Sequence, residues 1–151
     1  MQHVNADLLR PYEVVVLLHP DTPLEEQKEI FRRNKTTLAT FKGKFHTLET
    51  WGKRNLANPI NKLRKAHYFH ATFEANPQAI AEIERIMRIN EKVLRFMHTR
   101  LDERLPLTKH TEIFRKGLLE SATREREREA KAQARRNAAQ AASQNRHSDG
   151  M

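Results

Sequence analysis

The stretch Tyr12-Glu13-Val14-Val15-Val16-Leu17-Leu18 is a run of β-branched and aliphatic residues held between Pro11 and the turn-forming His19-Pro20-Asp21. It reads as one buried strand of about seven residues, and the rest of the fold follows from what comes after it. Asp21 or Thr22 is placed to cap a helix, and Pro23 suits its first position. Glu25 and Glu26 lie where the positive end of the helix dipole favours acids. Leu24, Phe31 and Leu38, with Ile30 and Phe41 beside them, form a stripe that should lie on a sheet, and Gly43 is placed to end the helix.

Residues 45–51 and 66–74 both carry strand chemistry. In the second, Phe69, Ala71 and Phe73 alternate with Tyr68, His70 and Thr72, the pattern of a strand covered on one side only. The two should pair antiparallel. Asn76-Pro77 then opens a second helix, with Ala79, Ile80, Ile83, Ile86 and Met87 at helical spacing and Asn90 as a left-handed cap. Residues 93–101 supply the last strand. The order βαββαβ is the split βαβ pattern, so the expected fold is α+β and ferredoxin-like. It places two helices on one face of a four-stranded antiparallel sheet and leaves the other face for partners.

Composition shifts near Pro106, which divides the chain into a domain over residues 1–106 and a basic C-terminal tail over residues 107–151. The tail is rich in Arg, Glu, Ala and Gln and has no apolar stripe beyond Leu118 and Leu119, so it is expected to be disordered or a solitary helix. Opposite charges three residues apart, Arg124 with Glu127 and Arg126 with Glu129, would support such a helix by a few tenths of a kcal/mol each. No internal repeat is visible.

The chain carries 28 Lys and Arg against 19 Asp and Glu, a net charge of +9, with a pI near 10.2. The excess is shared between the domain, with 18 basic and 13 acidic side chains, and the tail, with 10 and 6. A polyanionic partner is favoured over a small-molecule substrate. No stretch approaches the roughly 20 apolar residues that span a bilayer, and the first seven residues lack a basic segment leading into an apolar run. With no cysteine, disulfides and thiolate metal sites are excluded. The cytoplasm is the expected compartment.

Catalysis has little to work with. Residues 1–106 contain neither Ser nor Cys, so the commonest acyl-transfer nucleophiles are missing from the domain. Gly43 and Gly52 are isolated, so no glycine-rich phosphate cradle exists. His67 and His70 suggest a metal pair, but an odd spacing on a strand turns them to opposite faces. Glu25, Glu26, Glu29, Glu82 and Glu84 sit on helices, where a solvated polar face accounts for them. The chain reads as a non-enzyme without cofactor or metal.

The densest basic region lies between Phe41 and Lys65. It holds Lys42, Lys44, Lys53, Arg54, Lys62, Arg64 and Lys65, opposed by Glu49 alone, with Trp51 inside the run and Tyr68 just beyond it. Cations neutralise phosphates and release counterions, and aromatic rings give stacking surfaces for unpaired bases. On this reading Lys44, Lys53, Arg54, Lys62, Arg64, Lys65, Trp51 and Tyr68 form an RNA-binding set. A competing account has Trp51 packed against the rim of the core and the cations merely solvating a hairpin, and composition does not choose between them.

The residues themselves go further. Arg10-Pro11-Tyr12-Glu13-Val14, followed by the eighteen-residue run from Trp51-Gly52-Lys53-Arg54-Asn55-Leu56 through Asn58-Pro59-Ile60-Asn61 to Arg64-Lys65-Ala66-His67-Tyr68, resemble the bacterial small-subunit ribosomal protein S six family. The resemblance extends in order over residues 9 to 101. It implies a ferredoxin-like domain that pairs with ribosomal protein S eighteen and, as a heterodimer, binds the central domain of the small-subunit ribosomal RNA. One departure stands out: where the family usually reads Leu-Ala-Tyr-Pro-Ile, this chain has Asn58, which hydrogen-bonds but offers no large stacking face.

The implied mechanism is scaffolding, with cations positioning the RNA backbone and little sequence readout. The first strand is apolar on both sides, Val14 and Val16 on one and Val15 and Leu17 on the other, so Val15, Leu17 and Asn58 are the candidate partner contacts. A central strand is also often apolar on both faces for purely structural reasons. A general single-strand RNA-binding module would need more ring pairs than Tyr12 and Tyr68, and a protein-binding adaptor would show no salt-steep RNA affinity.

Overall fold

The computed structural model describes residues 8–148 and 150. Its elements run β1 (Arg10–Leu18), α1 (Leu24–Thr40), β2 (Lys44–Ile60), β3 (Leu63–Ala75), α2 (Pro77–Arg88), β4 (Val93–Arg100) and α3 (Leu107–Ser148). The sheet order is β2-β3-β1-β4, and every neighbouring pair is antiparallel. This is the ferredoxin-like split βαβ arrangement expected from the pattern, with β1 and β3 in the centre. The chain forms two compact units, one ending at Thr111 and the other beginning at Glu112.

The core lies between the sheet and the two helices. Val14, Val16 and Leu18 of β1, Phe69, Ala71 and Phe73 of β3, Ile30, Phe31 and Leu38 of α1, and Ala79, Ile83 and Met87 of α2 are all buried in one cluster. Phe31 packs on Phe69 at 4.7 Å between ring centroids, and Phe73 on Phe45 at 5.6 Å. Such offset ring pairs add to the burial energy of each ring. Leu24 departs from the expected stripe. It is 61% exposed at the start of the helix, where it lines an open groove with Phe31, Leu48 and Phe69, and Asn34 takes a buried place instead, its amide donating toward Met87 Sδ at 3.6 Å.

Helix termini show where local signals succeed and fail. Asn76 caps α2 as its position implies, with Oδ1 accepting from the Ala79 amide at 2.8 Å and Pro77 following it. At α1 neither Asp21 nor Thr22 caps. The Thr22 hydroxyl donates to the His19 carbonyl at 2.7 Å within the preceding turn, and Pro23 becomes the N-cap without a side-chain bond. Asn90 is not left-handed either. Its Oδ1 accepts from the Lys92 amide at 3.0 Å, so it shapes the turn into β4 rather than closing α2.

Gly43 follows α1 as expected, but the left-handed residue is Lys42, at φ 62°. Gly43 is there because a Cβ would sit 2.7 Å from the Glu74 carbonyl oxygen and 2.7 Å from Leu38 Cγ. The site therefore requires close approach of helix end and sheet.

The middle hairpin is much longer than residues 45–51 and 66–74 suggest. β2 spans 17 residues and β3 spans 13, closed by Asn61 and Lys62 at φ 48° and 67°. Two consecutive positive φ values make the two-residue turn whose twist matches that of the strands. Two bulges interrupt β2, one between Phe45 and Thr47 and one between Thr50 and Gly52, the latter with Gly52 at φ 68°.

The tail forms α3, a helix of 42 residues among which only Thr111 is buried. Its alanine-rich composition carries the helical preference. No helix of the described residues is long and apolar enough to cross a membrane.

Candidate RNA and partner interface

In an antiparallel pair, residues directly opposite share a face and residues adjacent in sequence alternate. Gly52 lies opposite Tyr68, Lys53 opposite His67, Arg54 opposite Ala66 and Asn55 opposite Lys65. Arg54, Arg64 and Tyr68 therefore share the face turned away from the helices, while Lys53, Lys65 and His67 share the opposite one. The structure brings these cations to one arm of the sheet but divides them between its two sides, with Lys62 in the turn between them.

The electrostatic character of this arm is one-signed. From Thr50 to Phe73 the chain carries Lys53, Arg54, Lys62, Arg64 and Lys65 and no acidic residue. Lys53, Lys62, Arg64 and Lys65 are exposed and Arg54 is half-buried. Lys53 is felt by His67, whose pKa is lowered first by burial and then by the nearby ammonium.

Two members of the RNA-binding set stand differently. Lys44 pairs opposite Glu74 at the far end of β2, nine residues from Lys53 or about 30 Å at strand rise. It does not belong to the arm. Trp51 occupies the bulge between Thr50 and Gly52 and is half-buried, and Tyr68 is half-buried beside it on the neighbouring strand.

Of the partner set, Val15 and Leu17 lie half-buried on the face away from the helices. Val15 is flanked by His70 and Met97, and Leu17 by Tyr68 and Arg95. Asn58 is exposed in the part of β2 between Asn55 and Ile60 where pairing with β3 is irregular. It lies six residues past Gly52, about 20 Å along the strand from the register position of Leu17. The three candidates thus fall in two places.

Sequence reasoning missed two features of this face. Met97 is 63% exposed next to Val15 and extends the apolar patch onto β4; the alternation Arg95, Met97, Thr99 was the available signal. The expectation that β3 is covered on one side only also fails: His70 and Thr72 are 1% and 0% exposed on the face opposite the helices. His70 Nε2 lies 3.1 Å from Glu13 Oε2, and the Thr47 and Thr72 hydroxyls lie 2.6 Å apart. Central polar groups on this face are closed over by cross-strand partners, as buried polar atoms require.

Among the described residues no group of three or more His, Asp or Glu is placed to hold a metal ion. Besides His67, the groups with displaced pKa values among the described residues are a buried His98, lowered by desolvation against the opposing pull of Glu84, and exposed carboxylates with the arginines they pair with. These are structural ion pairs spread over the surface and they do not converge on a cleft.

Comparison with known proteins bears on the fold and the family. The family described as Ribosomal protein S6 matches residues 11–100, which is β1 through β4. The small ribosomal subunit protein bS6 of Bdellovibrio bacteriovorus is 68% identical over 117 residues, covering 78% of this chain and 77% of that protein. The bS6 protein of Geobacter metallireducens is 38% identical over 96 residues, covering 64% of this chain and 81% of its own. The crystal structure of 30S ribosomal protein S6 from Thermotoga maritima superposes with a TM-score of 0.58 at 25% identity, over 74% of this chain and 99% of that one. On fold and sequence match, the chain belongs to the ribosomal protein S6 family, proteins of the small ribosomal subunit.

Proposed function

We propose that the chain binds small-subunit ribosomal RNA, in its central domain, through the β2–β3 arm, and does so together with ribosomal protein S eighteen in the cytoplasm. The observation that carries this reading is the run from Thr50 to Phe73, five cations and no acid, drawn out as a hairpin. An arm with charge on both faces touches phosphates on two sides of a cleft and fixes position without reading base edges. Tyr68, and Trp51 at its bulge, give the arm two rings for stacking on unpaired bases. The patch of Val15, Leu17 and Met97, with Arg95 at its edge, has the mixed apolar and cationic chemistry of a protein contact, and Asn58 would meet the partner or the RNA through its amide.

The test is salt-dependent binding to small-subunit ribosomal RNA, with and without the partner protein. At about 0.7 per phosphate for single strands, replacing Lys53, Arg54, Arg64 and Lys65 by Gln should make the slope of log affinity on log salt shallower by about 2.8. The pairs Lys53→Gln with Lys65→Gln and Arg54→Gln with Arg64→Gln then report the two faces of the arm separately. An unchanged slope in the fourfold variant removes the arm from the RNA contact. A chain that binds the partner but no RNA in any salt would be an adaptor.

A further inference from the structure

The distal part of α3 has no role in the interface described above. From Glu120 to Ser148 it contains no Leu, Ile, Val, Met, Phe, Tyr or Trp, and its residues from Arg126 to Ser148 are exposed. A helix without an apolar stripe has nothing to lay into a protein groove or into the boundary of a bilayer. Its chemistry lies in its charge.

That charge is arranged. At about 100° per residue, Arg124, Arg128, Lys131 and Arg135, spaced four, three and four apart, fall within about 60° of one another on the helix surface. Arg146 returns to the same line three turns further on. At about 1.5 Å per residue the first four place a cation every 4.5 to 6 Å over about 16 Å. All four are exposed. The acids of this part, Glu125, Glu127 and Glu129, lie off the line, and between Glu129 and Ser148 there is no acid at all, while Lys131, Arg135, Arg136 and Arg146 are present. Seven alanines over the same stretch keep the helix thin, so a backbone of phosphates can approach the line closely.

We propose that the line Arg124, Arg128, Lys131, Arg135 is a second RNA contact, a helical rail on which a sugar-phosphate backbone lies without sequence readout. The proposal rests on the RNA-binding reading of the domain and extends it to a segment outside the family match at residues 11–100. The occupant follows from charge complementarity. A rail of cations one residue wide fits a linear polyanion, whereas an anionic membrane would need the apolar face that this helix lacks.

The test uses the full chain and small-subunit ribosomal RNA, comparing two variants of equal charge. Lys131→Gln with Arg135→Gln removes two cations from the line, and Arg126→Gln with Arg136→Gln removes two from the remaining surface. Gln is close to Lys and Arg in helix preference, and far-UV circular dichroism checks that the helix persists. The on-line variant should lose about 1.4 from the salt slope, so that the affinity drop between 50 and 200 mM salt shrinks about 7-fold, and the off-line variant should lose less than half as much. Equal losses in the two variants, or none, overturn the rail. So does wild-type binding to phosphatidylserine vesicles that the on-line variant abolishes while RNA affinity is untouched. If arm variants lower the slope and rail variants do not, the rail alone fails. A wild type without RNA affinity defeats the reading of the domain itself.

Discussion

Replacing each of three glycines by alanine adds the same methyl group to three different surroundings, and the structure orders the outcomes. At Gly43 the new Cβ would lie 2.7 Å from the Glu74 carbonyl oxygen, 2.7 Å from Leu38 Cγ and 3.0 Å from Leu38 Cδ1. Ordinary contact begins at 3.4 Å, so about 0.7 Å must be found by moving groups that resist it. Leu38 is 1% exposed inside the core, and Glu74 is held by strand pairing opposite Lys44. Overpacking of this kind costs roughly 1 to 3 kcal/mol. Gly52 has open space around its Cβ position but a φ of 68°, and an L residue there costs about 1 to 2 kcal/mol of backbone strain. Gly117 is helical with open space, so alanine should stabilise that turn of α3 by up to about 1 kcal/mol. Urea unfolding followed by fluorescence of Trp51 reports the first two, and helicity by circular dichroism the third. Combining Gly43→Ala with Leu38→Ala should recover part of the loss, since the same methyl then fills the space the leucine leaves, whereas Gly52→Ala should gain nothing from Leu38→Ala. A neutral Gly43→Ala, or identical behaviour of both variants on the shortened Leu38, would refute the close approach of helix end and sheet.

Two further outcomes follow. His98 is packed against Phe73 and Phe96 at 5.9 and 6.1 Å and bonded to Glu84 at 3.1 Å, with its pKa lowered from 6.5 by desolvation. The unfolded chain then binds this proton more readily than the folded one, so the contribution is fully present above about pH 6.5 and is lost as pH falls below it. A His98→Phe variant should show a flatter stability profile below about pH 6.5, and parallel profiles would count against the assignment. Lys62→Gly should relieve the positive φ of 67° and raise the unfolding free energy by roughly 1 kcal/mol, while lowering the RNA salt slope by about 0.7. Binding and stability moving in the same direction would contradict it.

What could be read from the chain itself was whatever its neighbours in sequence decide. Val14, Val16 and Leu18 alternate with Val15 and Leu17 wherever the strand is placed. The helical spacing of Ala79, Ile83 and Met87, and the Asn76-Pro77 start, depend only on residues within a turn or two. The order of elements and their antiparallel pairing followed from these local signals. The run of cations near the hairpin was equally plain, because charge is a property of composition.

The tertiary structure decided what depends on register and on distant packing. The extension of β2 to Ile60 was hidden because residues 52–60 show no regular apolar alternation, and it is pairing of residues 52–55 and of Ile60 with β3 that keeps this segment in the sheet. That pairing divides Lys53 and Lys65 from Arg54 and Arg64 and sends Lys44 to the other end of the strand, distinctions no count of charges contains. The burial of His70 is settled by Glu13, 57 residues away, and the need for glycine at position 43 by a carbonyl at Glu74. Local sequence fixes which backbone shapes are cheap, whereas the face a side chain occupies and the space left for it are set by strands and helices brought together from far along the chain.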